Sequence, residues 1–251
     1  MSYEAEMPGM KVTREQLQII CCRYYFVSQF VSGKQVLEVG CGPGLGLGYL
    51  SRKAERVIGG DYAEDNLRLA RQHYEERAEL VRLDAHHLPF RDNCFDVVVA
   101  MATIIYLQVG KFFDECHRIL KKGGRLIFCT PNKDQPHFQP SRLSRNYFSV
   151  PELLTLVSKH FDVRFFGAFP IHRASQATGL RNAVIARAGK AIALIPKGAK
   201  IKEFLSCSLL GTSVLKEEIE DGMAETIQPE PIPDDSPNFQ YRVIYAVADA
   251  R

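Results

Sequence analysis

The nine residues Val36-Leu37-Glu38-Val39-Gly40-Cys41-Gly42-Pro43-Gly44 restrict the possible folds of this chain more than any other stretch. Val36, Leu37 and Val39 form a short apolar run broken only by Glu38, the pattern of a strand buried on both faces of a parallel sheet. The run stops at Gly40, and glycine returns at 42 and 44. A strand that ends in alternating glycines, with a helix expected next, lets backbone approach a nucleotide-like ligand closely, because no Cβ stands between them. The dinucleotide fingerprint wants its third glycine three positions after the second. Leu45 occupies that position, so the spacing points away from NAD.

A chain of 251 residues suffices for one α/β domain, alone or with a substantial insert. Hydrophobic residues at 46% and charged residues at 24% give the balance of a soluble globular protein, and a net charge of +3 is too small to imply nucleic acid as a partner. No basic segment leads into a long apolar run, and no window of about 18 residues is continuously apolar, so neither a signal peptide nor a transmembrane helix is expected. The seven cysteines form no Cys-x-x-Cys pair and several lie in apolar runs, which fits reduced, buried thiols in a cytoplasmic protein. No metal site is expected; adjacent His86 and His87 point in different directions and lack a partner at ligand spacing.

Along the chain, helical periodicity over Thr13–Val31 places Leu17, Ile20, Cys21, Tyr24 and Val27 on one face. Tyr24 either packs on the sheet edge or lines a ligand mouth. After the glycine loop a short helix is expected over Leu47–Ala54, then a strand, Arg56–Gly60, ending at Asp61. An acid at the end of the second strand of a βαβ unit, about 20 residues beyond the first glycine, can accept both hydroxyls of a ribose. Tyr62 follows and can lie against an adenine ring. The periodicity predicts a helix over Asp65–Arg77, a strand over Glu79–Leu83 ending at Asp84-Ala85, and a strand over Phe95–Met101. It then predicts a helix over Phe112–Leu120 closed by Lys121-Lys122-Gly123-Gly124, and a strand over Arg125–Thr130. Ser149 and Glu152 form a capping box that opens a helix over Val150–Lys159. Strands Phe161–Phe166 and Gln240–Val247 follow, the last pairing antiparallel at the sheet edge. The fold class is thus α/β: a Rossmann-like, doubly wound, seven-stranded sheet, mostly parallel with an antiparallel last strand, and a helical insert before that strand.

Five stretches in fixed order carry a family resemblance. They are the strand and glycine loop of residues 36–44, Gly60-Asp61-Tyr62, Leu83-Asp84-Ala85 with Leu88-Pro89-Phe90, Phe95-Asp96-Val97-Val98, and the run from Glu115 to Gly124. Together they make residues 36–130 resemble the class I S-adenosylmethionine-dependent methyltransferases, most closely the small-molecule group that includes quinone-biosynthesis enzymes. The resemblance implies S-adenosylmethionine as cofactor and a small-molecule acceptor as partner. Backbone at Gly40, Cys41, Gly42 and Gly44 would pass beside the donor's methionine and ribose, and Glu38 would help place its amino group. Asp61 would accept the ribose hydroxyls, Tyr62 would pack on adenine, and Asp84 with the Ala85 N–H would read the adenine edge. Met101 would lie near the methionine end. Ionised aspartates suit these roles because they are pure acceptors. Many relatives carry Glu-His after the fourth strand, where this chain has Ile105-Tyr106, so that histidine base is absent. Tyr106, with an ordinary pKa of about 10, can position a hydroxyl better than deprotonate it.

Tyr24, Tyr106, His137, Tyr147 and His172 are the candidate acceptor-binding residues; no catalytic residue is assigned. Residues 1–167 and 238–251 are expected to form the methyltransferase domain, and residues 168–237 a helical, charged insert acting as a lid. Seven basic residues and no acid occur from Arg173 to Lys202, and eight acids and no base from Glu217 to Asp235. The halves either attract each other or, through the basic one, touch an anionic acceptor or a membrane surface. The turn Thr130-Pro131-Asn132 and the Tyr147-Phe148-Ser149 lead also resemble methyltransferases of polysaccharide and glycan synthesis. Possible acceptors are therefore a sugar, a glycolipid or a quinone-type metabolite. Two other function classes are a nicotinamide-dependent oxidoreductase on the same sheet and a cofactor-binding protein without catalysis.

Overall fold

The computed structural model describes residues 6–136, 138–171 and 212–251. A short strand, β1 (Lys11–Thr13), leads into helix α1 (Arg14–Val27). Thr13 Oγ1 accepts from Gln16 N at 3.1 Å, and Gln16 Oε1 accepts from Thr13 N at 2.8 Å. This reciprocal cap satisfies two donors that a helix start leaves without partners. The helix stops at Val27, with Ser28 as its cap, and a turn then carries the chain into the sheet.

The remaining elements are β2 (Gln35–Val39), α2 (Leu47–Ser51), β3 (Arg56–Asp61), α3 (Glu64–Tyr74), β4 (Glu79–Arg82), β5 (Phe95–Met101), α4 (Val109–Ile119), β6 (Leu120–Pro131), α5 (Val150–Val157), β7 (Phe161–Pro170), β8 (Thr212–Val214), β9 (Glu230–Ile232) and β10 (Tyr241–Ala250). The main sheet runs β4-β3-β2-β5-β6-β10-β7-β9. The first five of these strands are parallel, and β10 lies antiparallel between β6 and β7. The strand order reverses between β2 and β5, so a crevice opens at their carboxyl ends, the usual ligand position in such sheets.

β2 is buried on both faces, and its alternation assigns each side chain to a layer. Val36 belongs to the buried cluster that contains Leu17, Ile20 and Tyr24 of α1 and residues of α2 and α3. Leu37 and Val39 belong to the cluster on the other face, with Phe112 of α4 and Leu153 of α5. Glu38 shares the parity of Val36 and therefore faces α1.

The seven expected strands are present, but the last one, expected at the sheet edge, lies inside the sheet between β6 and β7, and the sheet adds an eighth. The Pro-rich run at 229–237, expected as a plain connector, contains β9, which pairs antiparallel with β7 at the edge. Proline is tolerated there because an edge strand leaves one side of its backbone unpaired. Lys121-Lys122-Gly123-Gly124 does not close a helix. Leu120 is already extended and pairs with Phe95, and Lys121 Nζ bonds Asp96 Oδ1 at 2.9 Å, so β6 begins five residues earlier than expected. Of the expected insert, residues 168–170 belong to β7, and residues 212–237 hold β8 and β9 with no helix; residues 172–211, with the whole basic half from Arg173, lie outside the described residues. β8 pairs antiparallel with β1 in a separate two-stranded sheet.

Asn132, in the turn that resembled glycan enzymes, is fully buried and serves the scaffold. Its Nδ2 donates to the carbonyls of Asn238 and Tyr241, each at 2.7 Å, and its Oδ1 accepts from Asp134 N at 3.0 Å. It fastens the end of β6 to the start of β10. Replacing Asn132 with alanine leaves buried carbonyls unpaired, so chemical denaturation should show a loss of about 2–4 kcal/mol. An unchanged midpoint would show that these bonds do not hold the two strands together.

Candidate active site

A cavity of about 670 Å³ opens at the carboxyl ends of β2 to β5. Its size falls inside the range of about 300–1,000 Å³ typical of small-molecule sites. Among the residues singled out in the sequence, Gly40, Cys41, Gly42, Asp61, Tyr62, Asp84, Ala85 and Met101 line it, as do Tyr24 and Tyr106.

The glycine loop splits by role. Gly40 has φ +75°, and a Cβ there would meet Thr103 Oγ1 at 2.4 Å. Gly42, at φ +57°, has nothing within 4 Å of its would-be Cβ, so the loop backbone lies bare on the cavity floor. Gly44 was expected beside the ligand but does not line the cavity. A Cβ at Gly44 would meet the Tyr74 ring at 2.9 Å, and its carbonyl accepts from Tyr74 Oη at 2.8 Å, so this glycine serves packing of α3.

Asp61, at the end of β3, is tied to that loop. Its Oδ2 accepts from Gly42 N at 2.8 Å, and its Oδ1 accepts from Ala63 N at 2.8 Å and from Asn66 Nδ2 at 3.3 Å. A carboxylate has about four lone-pair sites, so capacity for a hydroxyl remains. Tyr62 is 65% exposed at the rim, an aromatic face with little covering it. Asp84 is also oriented: its Oδ1 accepts from His86 N at 2.9 Å and from His86 Nδ1 at 2.8 Å. The His86 backbone N–H, helped by the ring, holds the Asp84 carboxyl below the usual range. His86 Nε2 in turn accepts from Gln108 N at 3.0 Å, which makes the Nδ1–H tautomer the one present.

Glu38 lies behind this wall and does not line it. It is 1% exposed, and Tyr24 Oη donates to its Oε1 at 2.8 Å. Glu38 Oε2 is buried with no hydrogen-bond partner. Burial pushes its pKa up to about 8; the Tyr24 bond opposes the rise, and Asp61 adds to it. Burial, together with Glu38, raises the Tyr24 phenol well above 10.

The acceptor candidates divide. Tyr106 borders the cavity on a 3-10 turn, Ile104–Tyr106, and burial raises its pKa above that of a free phenol, which makes it a still poorer base. Tyr147 does not reach the cavity: its hydroxyl accepts from Ser141 N at 2.9 Å and donates to Ser144 Oγ at 3.0 Å, and its ring packs on Phe138. Leu143 and Arg145 of the same loop reach the cavity instead. Arg145 N and Asn146 N both donate to Ile105 O, at 2.9 and 3.1 Å, so this loop is clipped to the 3-10 turn. His137 and His172 lie outside the described residues. Sequence reading missed Thr103, Arg23, His86 and Arg145. Thr103 had a signal, since a strand end at a switch point is a usual ligand position; His86 had been weighed only as a metal ligand. No group of three metal-ligating side chains occurs among the described residues.

A family model described as a methyltransferase domain matches residues 37–128, the segment that builds this cavity floor. Over that segment the chain is similar to S-adenosylmethionine-dependent methyltransferases. It is similar to a probable S-adenosylmethionine-dependent methyltransferase of Mycolicibacterium smegmatis, 36% identical over 120 residues, or 47% of this chain and 46% of that protein. It is also similar to a demethylmenaquinone methyltransferase of Clavibacter sepedonicus, 32% identical over 102 residues, covering 39% of this chain and 42% of that one. These matches thus span less than half of the relatives' length. Over the whole class I fold the chain resembles a Thermotoga maritima structure described as a possible histamine N-methyltransferase. The TM-score is 0.60 at 16% identity, over 94% of this chain and 91% of that one, a likeness of fold. The antiparallel β10 between β6 and β7 is part of that likeness.

Glu38 generates a pH prediction. Its folded pKa near 8 exceeds the ordinary 4.5, so the protonated form is the one the fold prefers. Its contribution to stability is complete below about pH 4.5 and is lost as pH rises through 8, by an amount on the order of 3–5 kcal/mol at full ionisation. The melting temperature should therefore fall more steeply between pH 5 and 8.5 in the unmodified protein than in Glu38→Gln. Parallel profiles would contradict it.

Proposed function

We propose that this chain binds S-adenosylmethionine in the cavity and transfers its methyl group to a small-molecule acceptor. The observation that carries this reading is the pair of carboxylates fixed by backbone N–H groups, Asp61 and Asp84, which line one cavity with exposed Tyr62 and the bare glycine loop. Such a set fits a nucleoside with a 2′,3′-diol and an exocyclic amine: acceptors for the sugar hydroxyls, an acceptor for the amine, and a ring to lie on the base. Glu38 lies behind the wall, and its unpartnered buried oxygen would serve the cationic amino group of the donor's tail through a bridging water.

The donor supplies an electrophilic methyl carbon on a sulfonium, so little covalent chemistry is asked of the protein. Gly40, Thr103 and Met101 border the region where that carbon would meet its acceptor, and their task is alignment and exclusion of water. Alignment of this kind can lower a barrier by about 7–11 kcal/mol at best. Among the described residues lining the cavity, His86 is the one histidine, and its two ring nitrogens are engaged by Asp84 and Gln108. Tyr106 is held protonated. An acceptor that arrives with its nucleophile already activated fits this site better than a sugar hydroxyl, which needs a base. Ile105, Leu107, Pro131 and Leu143 line the cavity together with polar Gln108 and Arg145. Of the sugar, glycolipid and quinone-type acceptors, this largely apolar stretch with a few polar groups favours the flat, quinone-type class.

A thermal-shift titration tests the reading. S-adenosylhomocysteine at about 100 times its Kd should stabilise the protein by about 2.7 kcal/mol, a rise of several degrees, while NAD and NADP leave it unmoved. Asp61→Ala should weaken S-adenosylhomocysteine binding about 10- to 100-fold. Stabilisation by a nicotinamide nucleotide alone would overturn the proposal in favour of an oxidoreductase. A demethylated quinol offered with the donor should release S-adenosylhomocysteine, and release with sugar acceptors alone would overturn the acceptor preference.

A further inference from the structure

The His86 ring joins two segments of the cavity wall that are far apart in the chain. Asp84 and His86 follow β4, and Gln108 follows the 3-10 turn after β5, 22 residues beyond His86. Nδ1 meets Asp84 Oδ1 at 2.8 Å and Nε2 meets Gln108 N at 3.0 Å. A neutral imidazole has one donor and one acceptor, and both are used here. The ring is well covered, with its side chain 20% exposed, whereas the Asp84 side chain is 44% exposed.

On the Gln108 side the ring holds the start of a helix. Gln108 is the N-cap of α4, and its own side chain makes no capping bond, so His86 supplies the partner for an N–H that a helix start leaves open. The loop of residues 141–147 depends on the same turn. Leu107 O accepts from Asn146 Nδ2 at 2.9 Å, and Ile105 O accepts from Arg145 N and Asn146 N. Tyr106, Gln108, Leu143 and Arg145 all line the cavity, so the turn and the loop form one hydrogen-bonded unit beside the stretch assigned to the acceptor.

On the Asp84 side the carboxylate keeps a tie that does not need the ring, because His86 N also donates to Oδ1 at 2.9 Å. Both bonds fall on Oδ1, which leaves Oδ2 for an exocyclic amine. A ligand that covers this half-exposed carboxylate removes its freedom to rotate. The ring bonded to it, and Gln108 N behind the ring, then lose freedom as well. A second ligand that binds against a wall already ordered pays less entropy, which is positive cooperativity between two sites.

We propose that His86 is a positioning residue that carries donor binding to the acceptor wall. An adenine amine on Asp84 steadies the ring, the ring steadies the turn at Gln108, and the turn holds the loop at Arg145 and Asn146. The proposal rests on the reading that the cavity takes S-adenosylmethionine, and it adds an order of events: donor first, acceptor second. The acceptor meets a settled wall once the donor is in place, and by linkage it strengthens donor binding by the same factor.

Amide hydrogen exchange of the full chain, followed by mass spectrometry in a peptide covering residues 141–148, tests this. That loop hangs on the turn and holds none of the residues assigned to the donor. S-adenosylhomocysteine should slow exchange there about 5- to 20-fold in the unmodified protein. His86→Leu keeps the backbone N–H on Asp84 and loses both ring bonds. By calorimetry it should bind S-adenosylhomocysteine within about threefold of the unmodified protein, while the slowing disappears. His86→Gln offers an amide N–H and an amide oxygen in place of the two ring nitrogens, so the slowing should return. S-inosylhomocysteine, which has a carbonyl where adenine carries its amine, should bind more weakly and, at saturation, leave the loop unslowed. Equal slowing in the unmodified and His86→Leu proteins, or no slowing in unmodified protein that binds S-adenosylhomocysteine, would overturn the proposal and leave the cofactor reading standing. If His86→Leu fails to fold, the two ligands decide alone, and equal slowing by both would overturn the route through the amine. Failure of S-adenosylhomocysteine to bind the unmodified protein would reject the cofactor reading and this proposal with it.

Discussion

The hydrogen bond from Tyr24 to Glu38 joins the first helix to the central strand at the point where the glycine loop begins. A carboxyl group with 1% exposure in an apolar layer is unfavourable unless it is paired or protonated, and here one oxygen is paired and the other is not. The arrangement has consequences on both sides. On the scaffold side it fixes the position of α1 over β2, and Gly46 is needed there because a Cβ at that residue would run into the Tyr24 ring at 1.7 Å. On the cavity side it leaves a carboxyl group, mostly protonated at pH 7, directly behind the wall. A carboxyl that serves only packing gains nothing from this position, since an apolar residue would fill it without the desolvation penalty.

From that point the site is built by backbone rather than by side-chain variety. Gly42 N and Ala63 N orient Asp61, His86 N orients Asp84, and Ile105 O clips the loop at Arg145 and Asn146. These bonds tie strand ends and the loops at the carboxyl edge of the sheet to one another, so the scaffold sets the spacing between the polar groups. His86 extends the same logic: as a neutral ring donating to Asp84 and accepting from Gln108, it couples Asp84 at the end of β4 to the turn that carries Tyr106. Among the described residues no helix is long and apolar enough to cross a membrane. The described cysteines are unpaired, most of them buried, as their apolar surroundings led one to expect.

Legibility in the sequence followed locality. Strand β2, the glycine loop and the acids ending β3 and β4 were readable because each depends on a short pattern whose physics is self-contained: apolar run, missing Cβ, acceptor at a strand end. The capping boxes at Thr13 and Ser149 were of the same kind, and the second was identified in advance. What escaped depends on distant partners. Gly44 was read as part of the cradle, but the Tyr74 ring, 30 residues on, claims it. Tyr147 was read as an acceptor contact, but two serines of its own loop take its hydroxyl. β9 was hidden by its prolines and forms only because β7 offers an edge. Arg23 stood in plain view beside Tyr24, and nothing local revealed that its partner would be Glu6.

The central claim is that Glu38 ionises to receive a cationic amino group. Burial holds it near a pKa of about 8 without that cation, so at pH 7 it is mostly protonated. Calorimetry of S-adenosylhomocysteine binding at pH 7, repeated in buffers of different ionisation enthalpy, counts the protons exchanged. Release of close to one proton (about 0.9) per ligand bound in the unmodified protein, abolished in Glu38→Gln, is the result this account predicts. Binding with no proton release, or with the same release in both proteins, would contradict it.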